Sequence, residues 1–81
     1  TFRNLGLAFE ALEKGGNQPC ILNAANEIAV DAFLKDKVSF LGMSDVIEQS
    51  MQRVAFIKKP NYNDYVATDA ETRMLALEMI K

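Results

Sequence analysis

With 81 residues, 49% of them hydrophobic, the chain can form one domain with a single core but not two domains. A formal net charge of −2 argues against nucleic-acid binding, and the absence of histidine excludes Ser/His and Cys/His nucleophilic pairs and His-ligated zinc. A single cysteine rules out an intrachain disulfide, which fits a reducing, cytoplasmic environment, and no apolar run is long enough to cross a membrane.

The chain begins at Thr1 and enters a helical pattern at once, so we expect one domain over residues 1–81 that is a piece of a longer protein. Apolar side chains recur through residues 2–14 at the spacing of one helix face. They are Phe2, Leu5, Phe9 and Leu12. We expect a first helix that buries this stripe and ends at the glycine pair 15–16, because glycine adopts a left-handed backbone without steric cost.

Residues 19–35 are apolar on almost every side of a helix, which places this second helix in the middle of the domain and lets the charged residues 35–37 end it. Three polar side chains interrupt the apolar surface. Asn23, Asn26 and Glu27 share one face at positions i, i+3 and i+4. Since a buried amide or carboxylate without a partner costs about 1–3 kcal/mol, we expect these three to make defined hydrogen bonds within the domain or across an interface.

The single cysteine, Cys20, lies in the first turn of the second helix. A helix dipole can stabilise a thiolate there, which would make the sulfur reactive. No cationic residue or histidine is adjacent in the sequence, so we interpret Cys20 as a small packed side chain.

Residues 38–40 alternate like a strand but have no second strand to pair with, so we expect a short extended connector whose Val38 and Phe40 fill the core. A third helix follows over residues 42–55, with Ser39 or Ser44 as a candidate cap. Its apolar face is expected to be buried and consists of Met43, Val46, Ile47, Met51 and Val54.

Residues 56–67 have the least regular pattern in the chain. The pair Lys59-Pro60 interrupts any helix, and asparagine and aspartate residues follow that favour turns. We expect an irregular loop held against the core by its apolar side chains. These are Tyr62, Tyr65 and Val66.

The last helix is predicted over residues 68–81. Thr68 and Glu71 have the spacing of a capping box, and Asp69 and Arg73 form a favourable i, i+4 pair. The expected inner stripe of this helix consists of Ala70, Met74, Leu77 and Ile80.

Several segments together resemble one enzyme family. Residues 22–27 read LNAANE and are followed by the apolar groups AV at 29–30 and AFL at 32–34. The flanks agree, and they comprise LAFEAL at 7–12, the glycines at 15–16, Phe40, VIE at 46–48, DA at 69–70 and Arg73. Over essentially its whole length the chain resembles the C-terminal helical domain of 1-deoxy-D-xylulose 5-phosphate reductoisomerase, and the asparagine-rich segment is the specific part of the match.

The resemblance implies an all-α four-helix bundle with left-handed superhelical winding. It also implies a homodimeric parent enzyme that uses NADPH and a divalent cation, Mg or Mn. That enzyme rearranges and reduces its sugar phosphate to 2-C-methyl-D-erythritol 4-phosphate, a step in isoprenoid precursor biosynthesis. Because the family's dinucleotide-binding, metal-binding and flap motifs lie upstream of this region, no catalytic, cofactor-binding or metal-binding residue is assigned to this chain.

The preferred hypothesis is a non-catalytic domain that supports the upstream catalytic domain of the same chain. In it, Asn23, Asn26 and Glu27 form a polar network or a domain contact, with Asp69 or Arg73 as candidate partners. A free-standing helical interaction module is the alternative. An independent enzyme is a third hypothesis, which predicts NADPH oxidation by these 81 residues, and we expect none.

Overall fold

The computed structural model describes residues 3–80, and within that range it contains four α-helices and no strand. The helices are α1 (Arg3–Lys14), α2 (Gln18–Leu34), α3 (Phe40–Arg53) and α4 (Tyr62–Ile80). The prediction of an all-α, four-helix fold is confirmed. Phe2, predicted on the buried stripe of the first helix, lies outside the described residues.

The central helix α2 packs against each of the other three helices. Its alanines at 24, 25 and 29 are fully buried, and because their side chains are small the neighbouring backbones can approach closely. Ile21 and Ala32 are buried as predicted, and Ile28 packs against the core from its edge. The core cluster also includes Leu7, Ala11, Met43, Val46, Ile47, Met51, Val54 and Ala76.

Left-handed residues end both of the first two helices. Gly15 and Gly16 have φ of 70° and 57° and follow α1 directly, as predicted. After α2, Asp36 has φ of 59°; the Lys37 N–H donates to Ala32 O at 2.8 Å and the Asp36 N–H to Phe33 O at 3.0 Å. These two bonds form a Schellman motif, which explains why the helix ends in the charged segment 35–37.

The third helix begins two residues earlier than predicted. Ser39 caps it by accepting a hydrogen bond from the Gly42 N–H at 2.9 Å, so Phe40 belongs to the helix and not to an extended connector. Phe40 is mostly exposed and packs edge-to-face on Phe33, with ring centroids 6.1 Å apart, so its predicted core role is wrong. Val38 does pack against the core, and the predicted buried face of α3 is confirmed in full.

The fourth helix begins six residues earlier than predicted, so the prediction of an irregular loop over residues 56–67 is wrong. Asn61 and Asp64 form a reciprocal capping box: Asn61 Oδ1 accepts from the Asp64 N–H at 2.8 Å, and Asp64 Oδ2 accepts from the Asn61 N–H at 3.0 Å. Thr68 is therefore an interior helix residue, and the irregular stretch is limited to residues 54–61.

The predicted inner stripe of α1 points outward. Leu5, Phe9 and Leu12 are each between 54% and 68% exposed, whereas Leu7 and Ala11 are buried. Because α1 is apolar on two sides, helical spacing identifies an apolar stripe but does not determine which stripe meets the core.

The same error occurs on α4. Its buried residues are Thr68, Thr72 and Ala76, and Ile80 is the predicted residue that does pack against the core. Threonine is tolerated in this interior because the Thr72 hydroxyl donates to Thr68 O at 2.7 Å. The predicted core residues that are instead exposed are Ala70, Met74 and Leu77 on the helix and Tyr62, Tyr65 and Val66 near its start.

Candidate functional site

Four of the five polar residues singled out in the sequence meet where α2 and α4 cross. The Asn23 amide donates to Glu27 Oε2 at 3.3 Å along α2, and Arg73 Nε donates to Asp69 Oδ2 at 2.9 Å along α4. Arg73 Nη2 then bridges the two helices by donating to Glu27 Oε1 at 2.9 Å. We call these four residues the α2–α4 polar cluster.

The polar cluster lies at the surface. Asn23 and Glu27 are exposed, and the Asp69 and Arg73 side chains keep about a third of their area or more in water. The expectation that Asn23, Asn26 and Glu27 are buried is therefore wrong, because the apolar residues of α2 that face the core lie on its other sides. The hydrogen bond that Arg73 donates to Asp69 and, second, the one it donates to Glu27 raise the pKa of its guanidinium, which stays charged. Exposed pairs of this kind contribute little energy but fix which side chains meet.

Asn26 does not join the polar cluster. It is exposed on α2, and none of the side-chain hydrogen bonds among residues 3–80 involves it. Its amide is therefore available for a contact with something outside these residues.

The buried polar network of the domain lies elsewhere, at Asn17. This side chain is fully buried; its Nδ2 donates to Ala55 O at 2.9 Å and to Thr68 Oγ1 at 3.0 Å. Its Oδ1 accepts from the Ile57 N–H at 2.8 Å, and its own backbone N–H donates to Ile57 O at 3.0 Å. One asparagine thus joins the start of α2, the loop after α3 and the body of α4.

Two neighbours of Asn17 complete this arrangement. The buried Gln18 amide donates to Met51 O on α3 at 3.1 Å. At Gly16, a Cβ atom would lie 2.2 Å from Ile57 O, so the loop backbone can approach only because no side chain is there. We call residues 16–18 the amide turn. Of these residues, the sequence singles out only Gly16, at the end of the first helix, because the partners of the two amides are 33 to 51 positions away in the chain.

A second surface cluster attaches α1 to α3. The Arg3 guanidinium contacts Asp45 at 2.8 Å and also pairs with Glu48, and these two carboxylates raise its pKa, Glu48 more strongly. Next to it, the Ser44 hydroxyl donates to Asn4 Oδ1 at 2.6 Å. Polar contacts thus hold the beginning of α1, while apolar contacts by Leu7 and Ala11 hold its middle.

Two open surface cavities lie beside α4. One, of about 470 Å³, is between α3 and α4 and is lined by Arg53, Glu71, Met74, Leu75 and Glu78. The other, of about 460 Å³, is between α2 and α4 and is lined by Ile28, Asp31, Ala32, Lys35, Lys37, Leu77 and Ile80. Both are lined by apolar side chains together with charged residues of both signs.

Cys20 is half-buried near the polar cluster, with its sulfur 3.8 Å from Tyr65 O. Burial, followed by the charge of Asp69, raises the pKa of this thiol, and Arg73 opposes the shift. The raised pKa favours the neutral thiol over a reactive thiolate.

Two observations on the described residues concern the metal and the dinucleotide that the family resemblance implies for a parent enzyme. Within 3–80, no three His, Cys, Asp or Glu side chains lie close enough together to hold a metal ion. At the start of α2, the amides of Asn17 and Gln18 bind backbone carbonyls, and Pro19 has no N–H to offer a phosphate. Over the same residues, no helix is both long enough and apolar enough to cross a bilayer.

The fold and its contacts define a small all-α domain in which three helices pack on a central fourth. A family model, the DXP reductoisomerase C-terminal domain, matches residues 1–75. The chain therefore belongs to the DXP reductoisomerase C-terminal domain family, as the sequence resemblance indicated. No solved structure matches the chain.

Three of the chain's relatives are enzymes with the same name. The chain is 70% identical to 1-deoxy-D-xylulose 5-phosphate reductoisomerase of Phocaeicola vulgatus, over 98% of this chain and 21% of the relative. It is 66% identical to the Bacteroides thetaiotaomicron enzyme, over 98% of this chain and 20% of the relative. It is 44% identical to the Halalkalibacterium halodurans enzyme, over 99% of this chain and 21% of the relative. The chain thus spans about a fifth of the length of the curated relatives it matches.

Proposed function

We propose that this chain is the C-terminal helical domain of an NADPH- and divalent-cation-dependent 1-deoxy-D-xylulose 5-phosphate reductoisomerase. In this proposal it supports the upstream catalytic domain of the same polypeptide and supplies no catalytic residue itself. The observation that carries the proposal is the 70% identity to a reductoisomerase over 98% of this chain but only a fifth of that enzyme. The parent is a cytoplasmic homodimer that acts in isoprenoid precursor biosynthesis.

The polar residues have two roles in this proposal. Asn23, Glu27, Asp69 and Arg73 set the angle and register of α4 on α2 through the bond between Arg73 and Glu27. Asn26, whose amide makes no side-chain hydrogen bond among the described residues, contacts the upstream domain. The packing of α2 against all three other helices supports these roles. A contact that shifts α2 would shift the other three helices with it.

A truncation experiment tests the supporting role. The complete parent chain is expressed with and without these 81 residues, and soluble yield and substrate-dependent NADPH oxidation are measured. We expect the truncated enzyme to be largely insoluble or inactive, because the surface that this domain covers becomes exposed. A truncated enzyme with full yield and full activity would contradict the proposal.

The absence of catalysis from the domain is tested separately. The 81-residue chain is incubated with 1-deoxy-D-xylulose 5-phosphate, NADPH and Mg²⁺ or Mn²⁺, and the absorbance of NADPH is followed. We expect no oxidation above a buffer blank. Turnover by this chain alone would show that it carries a catalytic site and would overturn the assignment.

A further inference from the structure

Helix α1 carries its larger apolar surface on the side away from its own domain. At about 100° per residue, Leu5, Phe9 and Leu12 point roughly opposite to the buried Leu7. All three are large and more than half exposed, whereas only Leu7 and Ala11 are buried on the inner side. We call Leu5, Phe9 and Leu12 the outer stripe of α1.

The outer stripe is held in a fixed orientation. Arg3 pairs with Asp45 and Glu48 on α3, and Asn4 accepts a hydrogen bond from Ser44. At the other end of the helix, Gly15 and Gly16 lead the chain directly into the buried Asn17 and Gln18 of the amide turn. With both ends attached, α1 cannot rotate to bury the stripe without breaking these contacts.

The exposed apolar residues of α4 have different surroundings. Met74 shares its cavity with Arg53, Glu71 and Glu78, and Leu77 shares its cavity with Asp31, Lys35 and Lys37. Charged side chains therefore accompany Met74 and Leu77 on α4. On α1, helical geometry places no charged residue between the three members of the outer stripe, and Glu13 lies at its edge.

The outer stripe is too small to hold two copies of this chain together. Three side chains of this size expose roughly 300–500 Å² in total, whereas each partner in a stable interface buries about 800 Å². A surface of this size is sufficient for a domain already attached to the same chain, because tethering raises the effective concentration to about the millimolar range for short linkers.

We infer that the outer stripe of α1 docks on an apolar surface of the upstream catalytic part of the same polypeptide. The inference rests on the proposed function, in which about four-fifths of the parent chain precedes α1, since the match covers 21% of a relative and the family is a C-terminal domain. Of the four helices, α1 is the one nearest to that upstream chain in sequence, and no charged residue lies between the members of its outer stripe.

Matched cysteine labelling in the complete parent chain tests this inference. Phe9 and Met74 are 64% and 63% exposed in this domain, so Phe9→Cys and Met74→Cys place thiols at sites of equal intrinsic access. Alkylation by iodoacetamide is followed by mass spectrometry of the peptide carrying each site, relative to the same variant unfolded in urea. We expect Phe9→Cys to react at least about tenfold more slowly than Met74→Cys, because the docked surfaces must separate before iodoacetamide reaches the thiol.

Several outcomes decide the matter. Equal rates at the two sites would overturn the inference, and so would protection at Phe9→Cys that disappears on dilution, which would assign the stripe to a second copy. If Phe9→Cys does not fold, Leu12→Cys, at 68% exposure, replaces it with the same expectation. Substrate-dependent NADPH oxidation is measured on the unmodified parent in parallel. If the parent shows no NADPH oxidation, the proposed function is refuted. If the parent is active but the two thiols react at equal rates, only the docking of α1 is refuted.

Discussion

Two of the polar networks among the described residues differ in burial and in the kind of partner they use. In the amide turn, Asn17 and Gln18 are buried and bind backbone groups of α3 and of the loop after it, together with the Thr68 hydroxyl of α4. In the α2–α4 polar cluster, side chains that remain partly in water bind one another. Removing a residue from the first leaves buried backbone groups without partners, whereas removing one from the second returns its partner to water. Stability should therefore depend on the amide turn, and the polar cluster should mainly specify which helix faces meet.

The largest effect is expected for Asn17→Ala. Three hydrogen bonds disappear at once: a buried one to Thr68 and two part-buried ones, to the Ala55 carbonyl and from the Ile57 N–H. We expect the free energy of unfolding to fall by about 4 kcal/mol, since each orphaned group costs roughly 1–3 kcal/mol before relaxation. The measurement is the urea midpoint followed by circular dichroism. Asn23→Ala, on the exposed amide of the other network, is the control and should change stability by less than about 0.5 kcal/mol. Equal losses at the two asparagines would refute the comparison.

The next effect concerns Gly16, where a side chain would collide with the loop. Gly16→Ala places a Cβ 2.2 Å from Ile57 O and must also hold a φ of 57°, so the loop that carries the Asn17 partners has to move. We expect a loss of about 3 kcal/mol, from the left-handed strain and the overpacking together. Gly15→Ala separates these causes, because its φ is 70° but nothing lies within 4 Å of the added atom. It should lose only about 1 kcal/mol in the same urea titration, and a loss as large as that of Gly16→Ala would contradict the steric explanation.

The two networks also differ in how far they can be predicted from sequence. Asn23, Asn26 and Glu27 attract notice because they interrupt an apolar helix, yet they lie on its exposed side. Asn17 follows two glycines and has the pattern of an ordinary turn. Its importance comes from Ala55, Ile57 and Thr68, and no local pattern shows that these distant groups converge on one amide.

Helix packing shows the same limit. The buried face of α3 is predicted correctly because, after the first turn, the apolar residues of that helix lie on one side. Leu5 on α1 and Met74 on α4 are assigned to the wrong side because both helices are apolar on two sides, and the choice depends on neighbours that are distant in sequence. The start of α4 is missed because Asn61 and Asp64 form a less familiar version of the capping box than Thr68 and Glu71.

A smaller effect is expected in the polar cluster. Glu27→Gln, Arg73→Met and the double variant form a cycle across the bond that joins α2 to α4. We expect each single change to cost less than about 1 kcal/mol, with a coupling of about 0.5 kcal/mol that decreases as salt is added. Urea midpoints at low and high salt provide the measurement. Strict additivity would mean that the two residues are not energetically linked in the folded domain.

The smallest effect is a pH shift at Cys20, which reports on the polar cluster without breaking the fold. Burial and, second, the charge of Asp69 raise the pKa of this thiol, while Arg73 lowers it. Its alkylation by iodoacetamide should therefore begin at more alkaline pH in the folded chain than in urea. Arg73→Met removes the opposing charge, so the alkylation profile should move to still higher pH.

The same shift affects stability. Because the pKa of Cys20 is higher in the folded chain than in the unfolded chain, the neutral thiol favours folding at neutral pH, and this contribution is lost as pH rises through the folded pKa. If the alkylation rate rises at the same pH in folded and unfolded chains, neither burial nor the polar cluster acts on the sulfur. The influence of the cluster would then end at its own hydrogen bonds.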